Sequence, residues 1–298
     1  MVEIHPQNNM PVALSIAGSD PSGGAGIQAD IKTFTVIGVY CGAAITALTA
    51  QNTMGVSSYL PLPAAFVKKQ IQDVLDDLNV THIKIGMVGN QEIAQAIGEV
   101  LSGFAGEVIY DPVIKSSDGV SLFAAGSTAV TEHIISHATV LTPNIAELEI
   151  ITGRECGDQG RALAAAQSMF ALSPRLKAVC VKGGHMNVQE KTVTDYLVRK
   201  TPHEKGEKAP GFHISRIHHP RIFSRNTHGT GCTFASALTA YHMRTGDINT
   251  AFSYTCAFMD TLLNRSASHL IGQGAGPLLH HYFNRQEDDA DKDFPALQ

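Results

Sequence analysis

With 298 residues, 44% of them hydrophobic, and a formal net charge of −5, the chain has enough apolar material for one large α/β domain or two small ones. It has no surplus of Lys and Arg for a nucleic-acid or anionic-membrane surface, and no apolar run reaches the roughly 18 residues of a membrane span. Its five cysteines are widely spaced and lack a CxxC, which argues against a disulfide framework or a zinc site and fits reduced thiols in the cytoplasm.

Met1 to Met10 is polar, without the apolar core of a signal peptide. Val12 to Ala17 is a short apolar run that stops at Gly18 and reads as a buried parallel strand. A Gly/Ser-rich loop to Gly26 leads into helical spacing at Ile27, Ile31 and Phe34. Gly42 to Ala50 is a second β run broken at Gln51-Asn52-Thr53, and Val56 to Leu60 suits a short strand or flap. Phe66, Ile71, Val74, Leu75 and Leu78 mark an amphipathic helix. His82 to Met87 reads as a strand, Ile93 to Leu101 as a helix, Glu107 to Tyr110 as a strand, and 128–136 as helical. Thr139 to Leu141 (strand), Ile145 to Ile151 and Arg161 to Leu172 (helices) and Ala178 to Val181 (strand) follow. Val193 to Val198 and Phe212 to Ile217 form two strands around a charged loop, Lys200 to Lys208. Thr233 to Met243 and Ile248 to Arg265 are helices, and Gln286 to Gln298 is an acidic tail expected to fray. The pairs His218-His219 and His280-His281 have no metal-binding spacing and read as solvated loop residues.

Strands alternating with helices predict a mostly parallel central sheet with helices on both faces, in one domain spanning 1–298 with its ordered core at about 12–281. Gly18-Ser19-Asp20, Gln51-Asn52, Gly86-Met87, Asp111, Asn144 and Lys182-Gly183-Gly184 each follow the C-terminal end of a predicted strand. Ligands of open α/β sheets bind along that edge. Six polar clusters there are hard to explain by turn chemistry alone.

Asn226 to Leu238 carries Gly229-Thr230-Gly231-Cys232, a glycine-punctuated turn running into helical spacing at Phe234, Ala237 and Leu238. Unpaired N–H groups and the helix dipole would make an anion site there, although an ordinary helix cap fits the same residues equally well. Gly24-Ala25-Gly26-Ile27-Gln28-Ala29 matches a loose dinucleotide fingerprint, but no carboxylate stands at Thr46 to Gln51 where a ribose would need one. No G-x-x-x-x-G-K-[ST] occurs, which sets aside the P-loop NTPases.

Ser15-Ile16-Ala17-Gly18-Ser19-Asp20-Pro21-Ser22-Gly23-Gly24-Ala25-Gly26-Ile27-Gln28-Ala29-Asp30 resembles the N-terminal signature of hydroxymethylpyrimidine/phosphomethylpyrimidine kinases, thiamine-biosynthesis enzymes of ribokinase-like fold. Ile45 to Thr53, Lys84 to Met87, Leu141 to Asn144, Val181 to His185 and Asn226 to Thr233 resemble its later blocks in the same order. The resemblance implies an ATP-dependent kinase acting on 4-amino-5-hydroxymethyl-2-methylpyrimidine and then on its monophosphate, working with Mg²⁺ and forming a homodimer. It implies a pyrimidine pocket from Gly18, Ala25, Asp30, Gln51 and Met87. There Asp30 would accept hydrogen bonds from the substrate, Gln51 would read an aminopyrimidine edge and Met87 would cover the ring. Taken singly, these residues fit a helix cap, a turn amide and core packing.

Asn144-Ile145-Ala146-Glu147 resembles the N-x-x-E element of the wider family, which places magnesium and the nucleotide phosphates. The resemblance puts Asn144, Lys182 and Thr230 at the nucleotide and Glu147 with Asp111 near the metal. An N-cap asparagine with a first-turn glutamate fits the same four residues. Gly229, Gly231, Cys232 and Lys182 would carry catalysis, with Cys232 where most ribokinase-like enzymes have an aspartate base. A helix N-terminus lowers a thiol pKa in principle, so Cys232 is a candidate proton acceptor. After Asp111-Pro112-Val113, the segment Ile114-Lys115-Ser116-Ser117 departs from the family pattern, and no role is assigned to Lys115 or Ser116. Rival readings are a pyridoxal-type kinase of the same fold and a non-catalytic pyrimidine-binding protein.

Overall fold

The computed structural model describes residues 10–114, 132–185, 190–201 and 211–283. In chain order the elements are β1 (Val12–Ser19), α1 (Gly26–Ile37), β2 (Tyr40–Asn52), β3 (Gly55–Pro61), α2 (Ala64–Asp77), β4 (Val80–Ile85), α3 (Gln91–Leu101), β5 (Glu107–Tyr110), β6 (Val140–Leu141), α4 (Ile145–Thr152), α5 (Gln159–Ser168), β7 (Ala178–Val181), β8 (Thr192–Lys200), β9 (Phe212–Pro220), α6 (Thr230–Thr245) and α7 (Ile248–Ser266). The strands form one nine-stranded sheet in the order β3-β2-β1-β4-β5-β6-β7-β8-β9. From β2 to β7 every pairing is parallel, while β3, β8 and β9 are antiparallel at the two edges.

Alternation along the strands explains the layering, because successive side chains point to opposite faces. Leu14, Ile16, Ile83, Ile85, Val108, Tyr110, Val179 and Val181 face one core, which Val67, Ile71, Ile93, Ile97, Leu148 and Leu163 of α2 to α5 complete. Ala13, Ile109, Ala178, Cys180 and Leu197 face the other, filled by Phe34, Phe234, Leu238, Phe252, Phe258 and Leu262 of α1, α6 and α7. Burial on both sides is why these strands read as near-continuous apolar runs. Each fully buried Leu or Ile contributes roughly 1.5–3 kcal/mol, so two such layers hold the strand ends in a fixed frame.

Local signals end the helices. Gly38 and Gly246 close α1 and α6 in the left-handed conformation. Asn90, Asp158 and Asp247 cap α3, α5 and α7 with their side chains. Among the described residues no helix is long and apolar enough to cross a membrane.

Three sequence expectations change. α6 begins at Thr230 rather than Thr233, because Gly229 takes φ 80° and caps the helix from the left-handed region. Gly231 and Cys232 therefore lie inside its first turn. β2 runs on to Asn52, past its pairing with β1, and pairs with the edge strand β3 as an arm. His218 and His219 are not loop residues: both lie in β9, and His219 is half-buried. His280 is also buried, with Nε2 3.0 Å from Thr233 Oγ1. The Gln286 to Gln298 tail, Lys115 and Ser116, and most of the Lys200 to Lys208 loop lie outside the described residues, as does the first part of the 128–136 segment.

Candidate active site

At the C-terminal ends of β1, β2, β5 and β7 the polar clusters meet. The loop after β1 is organised by Asp20. Its carboxylate accepts from the Ser22 N–H (2.8 Å), Ser22 Oγ (2.7 Å), the Gly24 N–H (3.1 Å) and the Ala25 N–H (2.8 Å). His228 Nε2 stands 2.8 Å from Asp20 Oδ2. Burial alone would raise this carboxyl, but the hydrogen bonds from His228, Ser22 and Ala25 outweigh it and hold the group at about 2.

This loop packs directly on the Gly229-Thr230-Gly231 turn. A Cβ on Gly229 would overlap the Gly24 carbonyl, and one on Gly24 would overlap the His228 ring. The two glycine-rich stretches are thus two halves of one wall. Their close approach needs glycine on both sides.

From that wall an arm reaches toward β2. The Gln51 amide lies 3.2 Å from His228 Nε2 and 3.1 Å from Thr49 Oγ1, and Thr49 Oγ1 is 3.0 Å from the Ser19 carbonyl. Thr49 has one proton, which goes to Ser19, and His228 Nε2 has one, which goes toward Asp20. The Gln51 side chain thus spans from Thr49 to His228, with amide capacity left over for a ligand. Met87 lies across Gly18, with its sulfur 3.0 Å from where a Gly18 Cβ would sit. Gly18, Ala25, Gln51 and Met87 are accordingly linked along one wall of the site.

Asp30 is not part of that lining. It is fully buried, and its oxygens are already taken: Oδ1 accepts from Lys84 Nζ (2.8 Å) and Ser236 Oγ (2.8 Å), and Oδ2 from Ser15 Oγ (2.6 Å) and Lys84 Nζ (2.9 Å). The expectation that Asp30 accepts from a substrate is corrected by this geometry, since four hydrogen bonds from three groups, Lys84, Ser15 and Ser236, fill the carboxylate. The pair ties β1, α1, β4 and α6 together beneath the site. Burial works against a charge on Lys84, but the Asp30 and Asp111 carboxylates hold it protonated. Sequence reading missed Lys84, Asp20 and His228 as members of this architecture. The signal for Lys84 was a lysine alternating into the buried face of an apolar strand.

On the other side of the α6 N-terminus stands the charged half of the site. Lys182 Nζ donates to Asp111 Oδ1 at 2.7 Å, and Thr142 Oγ1 donates to the same oxygen at 2.9 Å. A Cβ on Gly231 would lie 3.4 Å from Asp111 Oδ2 and 3.6 Å from Lys182 Nζ, so the first turn of α6 faces this pair at close range. Asn144 bridges to Lys182 in parallel fashion and closes a capping box with Glu147, in which the Asn144 N–H donates to Glu147 Oε2 at 2.8 Å. Burial, and then Asp111 nearby, raise the Glu147 carboxyl, with Lys182 opposing. Asn144, Lys182, Asp111 and Glu147 are therefore brought together, beside the α6 turn on which Thr230 precedes Gly231.

Cys232 is half-buried on the inner side of the first turn. Burial, with the Asp30 and Asp111 carboxylates adding to it, pushes the thiol up to about 11, against the opposing pull of Lys84. The helix N-terminus alone predicts a lowered value; desolvation and two carboxylates reverse the direction.

A recess lined by Arg221, Ile222, Phe223, Ser224, Arg225 and Ala267 adjoins this half of the site. Arg221 Nη1 donates to the Gly184 carbonyl at 2.8 Å, which joins the recess to the Lys182-Gly183-Gly184 turn.

A doubly covered sheet, a helix N-terminus over a lysine–aspartate pair and an adjoining, mainly apolar recess are the features of a ribokinase-like small-molecule kinase. Residues 20–279 match the family model described as phosphomethylpyrimidine kinase, and the chain belongs to that family. The hydroxymethylpyrimidine/phosphomethylpyrimidine kinase of Rhizobium meliloti is 38% identical over 276 residues, covering 92% of this chain and 97% of the relative. Among solved structures, phosphomethylpyrimidine kinase from Clostridium difficile superposes with a TM-score of 0.70 at 34% identity, over 84% of this chain and 98% of that one. Pyridoxal kinase from Staphylococcus aureus in complex with AMP-PCP and pyridoxal superposes with a TM-score of 0.77 at 28% identity, over 93% of this chain and 96% of that one.

Proposed function

We infer that the chain transfers the γ-phosphoryl group of ATP to the hydroxymethyl oxygen of 4-amino-5-hydroxymethyl-2-methylpyrimidine, and then to the phosphate of that product, in thiamine biosynthesis. The observation that carries this reading is the first turn of α6. It opens onto Lys182 and Asp111 on one side and onto the Gln51–His228 arm on the other. Family membership and the curated relatives support the same acceptor.

In this reading Gln51 pairs with the aminopyrimidine edge, Met87 covers the ring, and Gly18 and Ala25 leave room for it. The N–H groups of Gly231 and Cys232, which have no intrahelical acceptor, meet charge on the transferring phosphoryl, as does the Lys182 ammonium. The acceptor oxygen forms the new bond to phosphorus as the bond to the ADP oxygen breaks, and the thiolate form of Cys232 takes the hydroxyl proton. Thr230 and Asn144 border the nucleotide phosphates, and the Arg221–Ala267 recess takes the base.

The residues present fit a magnesium ion. Glu147 is a buried carboxyl raised beside a second carboxylate, and among the described residues Asp111 Oδ2 and Glu147 Oε1 take no hydrogen bond. One or two carboxylates suit an ion that keeps waters and phosphate oxygens as its other ligands. Bound there, it would neutralise phosphate charge. Five unpaired thiols fit a cytoplasmic location, and exposed Leu48, Met54, Leu60 and Phe66 on the β2–β3 arm and α2 suit a homodimer contact.

Product analysis with ATP, Mg²⁺ and either the pyrimidine alcohol or pyridoxal tests the reading. Monophosphate and then diphosphate of the pyrimidine are expected. A strong preference for pyridoxal would replace the acceptor, and no ATP consumption with either ring alcohol would leave a binding protein.

A further inference from the structure

β9 carries a charged clamp behind the phosphate half of the site. His219 projects from β9 between β8 and α7. Its Nε2 is 3.2 Å from Asp195 Oδ2, and its Nδ1 is 3.0 Å from Asp260 Oδ1. The second contact is an ion pair whose N–H is not aligned on the oxygen. The side chains of His219, Asp195 and Asp260 are 13%, 10% and 28% exposed, so solvent screens this triad only in part. Cys256 Sγ of α7 also stands 3.8 Å from Asp195 Oδ2.

The other oxygen of Asp195 points at the site. Oδ1 accepts from the Gly183 N–H at 2.8 Å. Gly183 follows Lys182 directly, and a Cβ on it would overlap the Thr194 carbonyl, so the turn is seated against β8 at Thr194 and Asp195. The described chain of contacts therefore runs from His219 through Asp195 to the Gly183 backbone, then to Lys182 and Asp111.

We propose that His219, held between Asp195 and Asp260, is a positioning residue that sets the Lys182-Gly183 turn for nucleotide phosphates. With a carboxylate at each ring nitrogen, the doubly protonated ring cancels part of a charge of −2. A neutral residue there leaves Asp195 and Asp260 repelling each other, and Asp195 then relaxes away from Gly183. That slackens the hydrogen bond that seats the turn. Its hydrogen bond to the Asp195 carboxylate and its ion pair with Asp260 raise His219 to about 9, so the ring carries its charge at neutral pH.

The proposal rests on Lys182 meeting the ATP phosphates, and the test separates the two ideas. Steady-state rates are measured against ATP and against the pyrimidine alcohol for wild type, His219→Gln, Asp195→Asn, their double variant and Lys182→Ala, with a melting curve for each. His219→Gln is expected to lower kcat/KM for ATP about tenfold, the effect of losing one hydrogen bond to a charged group, with KM for the pyrimidine unchanged. The double variant is expected to lose no more than either single one, because both cut the same chain of contacts. If His219→Gln lowers the melting temperature but leaves ATP kinetics at wild-type values, the clamp is structural only and the proposal is overturned. If Lys182→Ala also leaves ATP kinetics intact, the placement of the phosphates itself is wrong. Should His219→Gln fail to fold, Asp260→Asn at the more exposed carboxylate carries the same expectation at smaller size; unchanged ATP kinetics there overturn the proposal equally.

Discussion

Cys232 shows how much a single side chain depends on what surrounds it. At about 11 its thiol is almost entirely protonated at neutral pH. About one molecule in ten thousand carries the thiolate at pH 7, each pH unit above that adding a factor of about ten. If that thiolate takes the substrate proton, log kcat rises with pH from 7 to 9 in the wild type and is flat in Cys232→Ala. A flat profile in both, with kcat little changed, would make Cys232 a shape element. Asp30 teaches the complementary lesson. A carboxylate one helical turn beyond Gly26 reads as a ligand-facing group, and only the partners Lys84, Ser15 and Ser236 reveal that it has no acceptor capacity left. Those partners are 54, 15 and 206 residues away, beyond any local pattern.

At the scale of elements, the junction of the β1–α1 loop with the start of α6 decides whether there is a site at all. Gly229 combines φ 80° with a packing contact on the Gly24 carbonyl, whereas Gly246 at the other end of α6 has φ 68° and nothing within 4 Å of an added Cβ. Gly246→Ala should therefore cost about 1 kcal/mol, the left-handed strain alone, with turnover intact. Gly229→Ala adds a backbone collision and should cost more than about 2 kcal/mol and abolish turnover. Denaturant midpoints and initial rates for the two variants check this; equal losses in both would mean that the close approach carries no function. The glycines of this junction were legible in the chain as two motifs. That they abut was not, because one closes on the other across more than 200 positions of sequence.

For the whole molecule, shifted histidines set opposing pH limits on stability. Burial lowers His82 and His280 to about 4 from an ordinary 6.5. Between pH 6.5 and 4 the unfolded chain takes up protons that the folded chain refuses, so stability falls as pH drops through that window. Asp20, held at about 2 against 3.8, adds a further loss below pH 3.8. His219, raised to about 9, works the other way: its contribution is full below 6.5 and is lost as pH rises to about 9. Melting temperature should peak near pH 6.5, and His82→Gln should flatten the acid limb without touching activity, since His82 packs on His242 away from the strand ends that form the site. An acid limb as steep in that variant as in the wild type would remove His82 from the account.

The amino-acid sequence by itself determined the layered α/β architecture and the edge of the sheet that carries chemistry. Apolar runs stopping at Gly18, Gln51, Asp111, Asn144 and Lys182 record burial on both faces and polar groups where each strand ends, and both are local properties of the chain. Its motifs also sufficed to indicate the family. Tertiary structure alone decided which polar residues are free to meet a ligand. It turned Asp30 inward onto Lys84, joined Gln51 through His228 to Asp20, reversed the expected shift of Cys232, and drew His219 from an apparent loop into a clamp on the Lys182 turn. The physical reason is common to all four. Hydrogen-bond capacity and desolvation belong to groups brought together from distant parts of the chain, and no spacing within one segment encodes them.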